Sequence, residues 1–339
     1  MKVQENISLS ELTTMRVGGV ARWVLLCESR DDIVAAIDFA NERNLPWFVL
    51  GGGSNVVASD DYNGVIILNR IKGFEKINYV AYKIGAGENW DETVEKLCTE
   101  NLSGVECLSL IPGVAGATPV QNVGAYGQDI SQTLVELTVF DVRDGQFKTL
   151  TNEDCKFTYR DSVFKSQKNR HYIICDITLR LSRQIMKPPF YEALQRYFSE
   201  RIKSEGIEKG ISPSEVRAAV IAIRDSKLPR VEEVPSTGSF FKNPIVSKDF
   251  ASDIIKKFPD APYWLMSDGR VKLAAGWLID RAELKGYENY GFQLYPKNAL
   301  VITNVANSSA ENLAKFKAEI ISKVHEKFDI ELEQEPESL

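Results

Sequence analysis

The sequence predicts an α+β fold in several lobes, and three observations carry that prediction. Its 339 residues suffice for two or three domains, and 44% hydrophobic residues support a packed core. Short strand-like runs alternate with helical periodicities, with no internal repeat. Two glycine-rich stretches, at 51–55 and 111–127, punctuate the first half.

The elements follow in order. Ser29-Arg30-Asp31-Asp32 reads as a helix start, after which Ile33, Ala36, Ile37 and Ala40 share one helical face. Trp47–Leu50 reads as a short strand leading into Gly51-Gly52-Gly53-Ser54-Asn55, and Val65–Leu68 as another beyond the turn cluster 60–64. A helix is expected over Trp90–Cys98 and strands at about 134–141 and 171–181. Ser212-Pro213-Ser214-Glu215 forms a capping box with Pro at the first helical position, and its helix should bury Val216, Ala219, Val220 and Ile223. A boundary is placed near Leu228-Pro229. Beyond it, helices are expected near 248–258 and 309–328, the second with the stripe Leu313, Phe316, Ile320, Val324 and Phe328. Ile330–Glu333 alternates like a final strand.

Composition excludes several classes. A net charge of −6 gives no global attraction to nucleic acid or anionic membrane. The first residues lack a signal-peptide core, and the longest apolar run, Ala218–Ile223, is too short to span a bilayer. Five cysteines without CxxC spacing suit reduced, buried thiols, and two histidines exclude a multi-His metal site. A cytoplasmic protein with no metal is expected.

The motifs narrow the chemistry. Gly51–Asn55 lacks the third glycine and the long helix of a dinucleotide fingerprint, and no Lys-Ser/Thr follows as in a Walker loop. It remains either an ordinary tight turn, the commoner meaning, or a phosphate cradle of backbone N–H groups with Ser54 and Asn55. Four glycines among small residues in 111–127 let backbone approach a flat or anionic group closely, and two such loops in one domain point to a large cofactor with a pyrophosphate. Arg160, in Tyr159-Arg160-Asp161-Ser162, is either a surface ion-pair residue or an electrostatic stabiliser in a cleft. Thr237-Gly238-Ser239-Phe240-Phe241 is not the G-x-S-x-G elbow, because Phe241 stands at the last glycine position. Neither His171 nor His325 has an obvious claim as its base, so a serine hydrolase is the weaker reading.

Taken together, the ordered motifs resemble the UDP-N-acetylenolpyruvoylglucosamine reductase family almost end to end. They run from Thr14-Met15-Arg16-Val17-Gly18-Gly19 through Gly-Gly-Gly-Ser-Asn at 51, Ile-Pro-Gly at 111, Gln-Asn-Val-Gly-Ala-Tyr-Gly at 121 and Tyr-Arg-Asp-Ser at 159. Gly-Ser-Phe-Phe-Lys-Asn-Pro at 238, Lys272–Asp280 and Leu332-Glu333-Gln334-Glu335 complete the series. The insertion around Pro188-Pro189-Phe190-Tyr191 is similar to the first of the family's two types.

The resemblance implies an α+β fold with a two-lobe FAD domain of the PCMH/vanillyl-alcohol-oxidase type and a C-terminal α+β substrate-binding domain. The lobes would be 1–70, joined by the tail 329–339, and 71–228, with the substrate domain at 229–328. Non-covalent FAD would be held by Gly51, Gly52, Gly53, Ser54, Asn55, Ile111, Pro112, Gly113, Gly116, Thr118 and Gly124. NADPH would be the hydride donor in reducing UDP-N-acetylglucosamine enolpyruvate to UDP-N-acetylmuramate for peptidoglycan synthesis. Ser239 would donate the proton to C2, with Arg160 and Glu335 stabilising the enolate-like intermediate. Tyr191, Lys227, Asn243, Trp264, Lys272 and Asn298 would contact substrate or orient NADPH.

Two departures stand out. Trp264 beside Tyr263 occupies the place of the family's usual Tyr, and Pro336-Glu337 follows Glu335 where Val-Arg is usual, which leaves Glu333 as a rival. Two other readings stand against a reductase: a different flavin oxidoreductase on the same scaffold, and a catalytically silent FAD- or nucleotide-binding protein.

Overall fold

A reciprocal capping box starts the first helix, Arg30–Glu42. The Ser29 hydroxyl accepts from the Asp32 N–H at 3.1 Å, and the Asp32 carboxylate accepts from the Ser29 N–H at 3.2 Å. This satisfies two donors that a helix start leaves without partners. The computed structural model describes residues 1–58, 60–165, 171–206 and 210–339.

The chain divides into two compact units. The first comprises Met1–Ile7, Ala21–Gly52 and Asn63–Asp225; the second comprises Ser8–Val20, Gly53–Tyr62 and Ser226–Leu339. The break at Asp225/Ser226 lies close to the boundary read near Leu228-Pro229, and the tail groups with the second unit.

In the first unit, a four-stranded sheet has the order Lys2–Ser8, Val20–Cys27, Tyr62–Asn69, Trp47–Leu50. Trp47–Leu50 runs parallel to Val65–Leu68, so the glycine turn at 51 emerges from the C-terminal end of a parallel strand. A five-stranded antiparallel sheet has the order Gln146–Thr151, Leu134–Asp141, Tyr172–Arg180, Ala81–Gly85, Phe74–Lys76. Ile33, Ala36, Ile37 and Ala40 bury their helical stripe against Leu25, Val65, Ile67, Phe140 and Ile173. Trp90, Val94 and Leu97, on the helix Trp90–Thr99, pack on Ile84, Leu137, Val139 and Ile177 of the larger sheet. The helix Pro213–Lys227 begins at the expected box, where Glu215 accepts from the Ser212 N–H at 2.9 Å. It buries Val216, Ala219 and Val220; Ile223 is only partly buried, and Arg217 is buried with them.

In the second unit, one sheet has the order Ser236–Ser239, Val301–Asn304, Phe292–Leu294, Glu288–Asn289. A second has the order Ile245–Val246, Val271–Leu273, Tyr263–Leu265. The helix Ala310–Phe328 buries its expected stripe of Leu313, Phe316, Ile320, Val324 and Phe328 in the core that holds Phe240 and Phe241.

The tail departs from expectation. Ile330 and Leu332 alternate into the core, but no strand forms over 330–333. The strand comes later, at Glu337–Ser338, parallel to Val56–Val57. Alternating burial reports which side chains face the core; a strand also requires a neighbouring backbone in register, and that neighbour lies at Val56–Val57.

Candidate active site

The first unit brings the two glycine stretches into backbone contact. A Cβ on Gly52 would stand 2.7 Å from the Gly113 Cα, and one on Gly51 would stand 2.7 Å from the Val114 Cγ2. No side chain fits there, so glycine lets the two loops close on each other. The Arg70 guanidinium donates to the Gly51 carbonyl at 2.9 Å, and burial lowers its pKa. Gly113 is in the left-handed half of φ space at +121°.

Further along the same stretch, two expected cofactor residues carry structural duties. A Cβ on Gly116 would stand 2.4 Å from the Ala86 Cβ, and the Gly116 N–H donates to the Ala86 carbonyl. Thr118 is buried and donates its hydroxyl to the Ala115 carbonyl at 2.7 Å.

The loop 118–124 is tied to the turn that presents Arg160. Asn122 Nδ2 donates to the Thr158 carbonyl at 3.1 Å, and the Ser162 hydroxyl donates to the Val120 carbonyl. Thr158 and Asp161 exchange backbone hydrogen bonds across Arg160, whose φ is +54°. An Arg160 Nη1 would lie 3.3 Å from a Cβ on Gly124. Tyr191 meets Tyr126 edge to face at 5.8 Å, beside Gly127. The first unit therefore gathers Gly51, Gly52, Gly113, Gly124, Arg160 and Tyr191 around linked loops.

In the second unit Gly53 has φ +64°, and a Cβ there would stand 2.0 Å from the Leu12 carbonyl oxygen. Asn55 accepts through its carbonyl from the Glu337 N–H at 2.9 Å, which joins the Ser54–Asn55 turn to the tail.

Ser239 ends a strand with a register shift. Ser236 pairs with Thr303 and Ser239 with Val301, so one extra residue is accommodated, at the left-handed Gly238 of φ +71°. The two Phe that follow are anchors. Phe240 and Phe241 are fully buried and meet edge to face at 5.2 Å. Burying each contributes about 1.5–3 kcal/mol, which holds the strand end bearing Ser239. The Ser236 and Thr237 hydroxyls, not singled out from sequence, are buried without a hydrogen-bond partner among the described residues.

Glu335 lies alongside: its N–H donates to the Phe240 carbonyl at 2.9 Å, Gln334 forms a bridge with Phe241, and Glu335 is buried. Glu333 is exposed and ion-paired with Lys242.

The remaining expected contacts are dispersed over this unit. Trp264 pairs with Lys272 across adjacent strands, and the Lys272 Nζ sits 5.3 Å over its ring. Tyr263 pairs with Leu273, so it points to the other face. Asn243 accepts from the Ala275 N–H at 2.9 Å, at the start of the helix Ala275–Arg281. Asn298 accepts from the Leu300 N–H at 3.1 Å in the turn before Val301–Asn304. Lys227 is exposed at the end of its helix.

Each histidine has an acidic neighbour within its own unit. His171 lies 3.9 Å from the buried Asp141 in the first unit, and exposed His325 lies 3.8 Å from Asp329. The Ser239 hydroxyl makes no hydrogen bond with the described residues.

Residues 21–151, which contain both glycine loops, match the FAD binding domain family. Fold and loops thus define an FAD-dependent flavoprotein, and loops closed backbone to backbone without Cβ atoms fit a group that needs close approach of peptide N–H donors. Residues 229–339 match the C-terminal domain of UDP-N-acetylenolpyruvoylglucosamine reductase. The chain is 36% identical to the enzyme of that name from Salmonella choleraesuis, covering 97% of this chain and 94% of that one. It is also 36% identical to that of Bdellovibrio bacteriovorus, covering 99% of each, and 35% identical to that of Escherichia coli K12, covering 97% and 95%. The solved UDP-N-acetylenolpyruvylglucosamine reductase of Thermus caldophilus shares the fold, with a TM-score of 0.68 at 24% identity over 100% of this chain and 99% of that one. The chain belongs to the UDP-N-acetylenolpyruvoylglucosamine reductase family of flavin oxidoreductases.

Proposed function

We propose that this enzyme reduces UDP-N-acetylglucosamine enolpyruvate to UDP-N-acetylmuramate with NADPH, the step that supplies this sugar for peptidoglycan. Bound FAD supplies two-electron redox chemistry between NADPH and the enolpyruvyl double bond. The chain's residues bind that cofactor, hold the substrate and manage charge and protons.

Gly51, Gly52, Gly53, Ser54, Asn55, Ile111, Pro112, Gly113 and Gly124 hold FAD through backbone and small side chains, with Gly116 and Thr118 shaping the loop behind them. Binding is non-covalent. The five cysteines are buried, and burial pushes the thiols of Cys27, Cys98, Cys155 and Cys175 up to about 12, so none presents a thiolate for attachment. The FAD lobes are read at 1–70, joined by the tail 329–339, and at 71–228, and the substrate domain at 229–328.

Reduction at C3 of the enolpyruvyl group leaves negative charge at C2 that spreads into the adjacent carboxylate. A proton must arrive at C2, and charge must be balanced near the carboxylate. Ser239 donates the proton from its hydroxyl, Arg160 supplies the cation, and Glu335 acts with Arg160 to stabilise the enolate-like intermediate. Tyr191 closes over the nucleotide, while Lys227, Asn243, Trp264, Lys272 and Asn298 hold the UDP-sugar or NADPH. The supporting observation is the pairing of the Glu335 N–H with the Phe240 carbonyl, which seats a buried carboxylate beside the residue following Ser239. The nucleotide-sugar substrate places the reaction in the cytoplasm; no helix among the described residues is long and apolar enough to cross a membrane.

The test is NADPH oxidation by the purified yellow protein. Turnover should require the enolpyruvyl nucleotide and yield UDP-N-acetylmuramate in equal amount. Turnover with an alcohol or free sugar instead would assign a different oxidoreductase, and a yellow protein inert toward NADPH and substrate would leave only a binding role.

A further inference from the structure

We propose that Asp91 and Arg217 form a positioning pair for the cofactor loop: Arg217 fixes the Asp91 carboxylate, and Asp91 holds the left-handed turn at Leu110 that aims Ile111-Pro112-Gly113. The proposal rests on the reading of this loop as part of the FAD site.

The geometry is specific. Arg217 grips Asp91 with two parallel hydrogen bonds, Nη1 to Oδ1 at 2.5 Å and Nη2 to Oδ2 at 3.0 Å. Such bidentate pairs fix orientation as well as charge. Side-chain exposures of 10% for Arg217 and 27% for Asp91 separate this pair from an ordinary surface contact. Glu95, 3.8 Å from Arg217 Nη2, is a looser second partner, and Arg224 adds positive potential at Asp91.

Asp91 Oδ1 also accepts the backbone N–H of Leu110 at 2.5 Å. Leu110 has φ +59°, a conformation strained for a non-glycine residue, which persists where the surroundings impose it. The neighbouring residues grip the same loop. The Trp90 N–H donates to the Gly113 carbonyl and its indole to the Leu108 carbonyl, each at 3.1 Å, while Asn89 bridges to Val114. The first turn of the helix Trp90–Thr99 is thus a clamp on 108–114, and Arg217 braces its charged jaw. Gly113, at the far end of the clamped stretch, meets Gly52.

If the turn at Leu110 relaxes, the fraction of protein with a competent loop falls, and apparent affinity falls by the same factor. In the holoenzyme FAD leaves through the relaxed loop, so a tenfold rise in the relaxed fraction of the bound protein speeds release about tenfold.

The experiment follows FAD release from the holoenzyme after dilution by recovery of flavin fluorescence, together with visible circular dichroism of the bound flavin and thermal unfolding. Asp91→Leu removes both acceptor and charge, Asp91→Asn keeps an acceptor for Leu110 but loses the ion pair, and Arg217→Leu removes the brace. Release should quicken about tenfold in Asp91→Leu and Arg217→Leu and less in Asp91→Asn, with an altered flavin dichroism. Should the leucine variants fail to fold, the near-isosteric Asp91→Asn decides alone. Lower unfolding temperatures with native release rate and native dichroism would make the pair merely structural and overturn the proposal. Gly52→Ala separates the underlying reading: unchanged release there would remove the loops from the FAD site and the proposal with them, whereas faster release in Gly52→Ala but not in the Asp91 and Arg217 variants would overturn the pair alone.

Discussion

The backbone N–H of Glu335 donates to the carbonyl of Phe240 at 2.9 Å, and two residues earlier Lys242 and Glu333 repeat the contact through backbone and side chain. The tail therefore runs beside the Ser239 strand end with Glu335 buried and Glu333 facing solvent. Two acidic residues with the same local spacing have different surroundings.

That difference makes a prediction for turnover. Glu335→Gln should lower kcat by about 10²-fold or more, on the scale of losing a positioned acid–base group. Glu333→Gln should turn over normally, because its ion pair with Lys242 is exposed on the Glu333 side and worth about 0–1 kcal/mol. Steady-state NADPH oxidation by both variants checks the assignment, and a normal rate in Glu335→Gln would end it.

Ser239→Ala should leave flavin reduction by NADPH almost intact and stall reoxidation by the enolpyruvyl substrate by about 10²–10⁴-fold. The buried Phe240 and Phe241 hold the strand end whether or not the hydroxyl is present, so folding should be unaffected. Cysteine at 239 keeps a donor and should recover part of the rate. Stopped-flow absorbance of the two half-reactions reads this directly; reoxidation of the alanine variant at the native rate would assign the proton to another source.

The edge-to-face contact between Tyr191 and Tyr126 implies a loop with a defined resting place. Tyr191→Phe keeps the ring contact but loses the hydroxyl. It should weaken substrate binding while leaving flavin reduction by NADPH near native. Equal losses in substrate affinity and in the rate of flavin reduction would count against the lid.

Acid precipitation should release all the yellow colour into the supernatant, since the five buried thiols offer no tether. Colour retained in the pellet would show a covalent link.

Glu215 gives a pH prediction. Hydrogen bonds from Ser212, then Arg201, pull its carboxyl down to about 2. A carboxyl lowered on folding stabilises the protein above its unfolded value and loses that stabilisation as pH falls toward the folded one. The unfolding temperature of Glu215→Gln should therefore lie below wild type at neutral pH, with the gap closing between about pH 4.5 and 2. A gap independent of pH over that window would show that the capping box does not depend on ionised Glu215.

Sequence alone determined what is decided within a few residues. Helix starts at Ser29 and Ser212 were legible because a capping box is complete in four residues. The stripe from Leu313 to Phe328 was legible because helical periodicity repeats locally. The family was legible because its motifs are contiguous words such as Gly-Ser-Phe-Phe-Lys-Asn-Pro. Only the tertiary structure decided what depends on distant partners. Periodicity places 333 and 335 on one face of a strand, and it is the course of the chain past Phe240 and Lys242 that buries one and exposes the other. The tail strand formed at Glu337–Ser338, where Val56–Val57 supplied a neighbouring backbone, rather than over the alternating 330–333. The packing of Gly52 on Gly113 and the grip of Arg217 on Asp91, 126 residues away, leave no trace in local spacing. A glycine or an arginine looks the same in sequence whether it meets solvent or another loop, because a contact belongs to the pair that folding brings together.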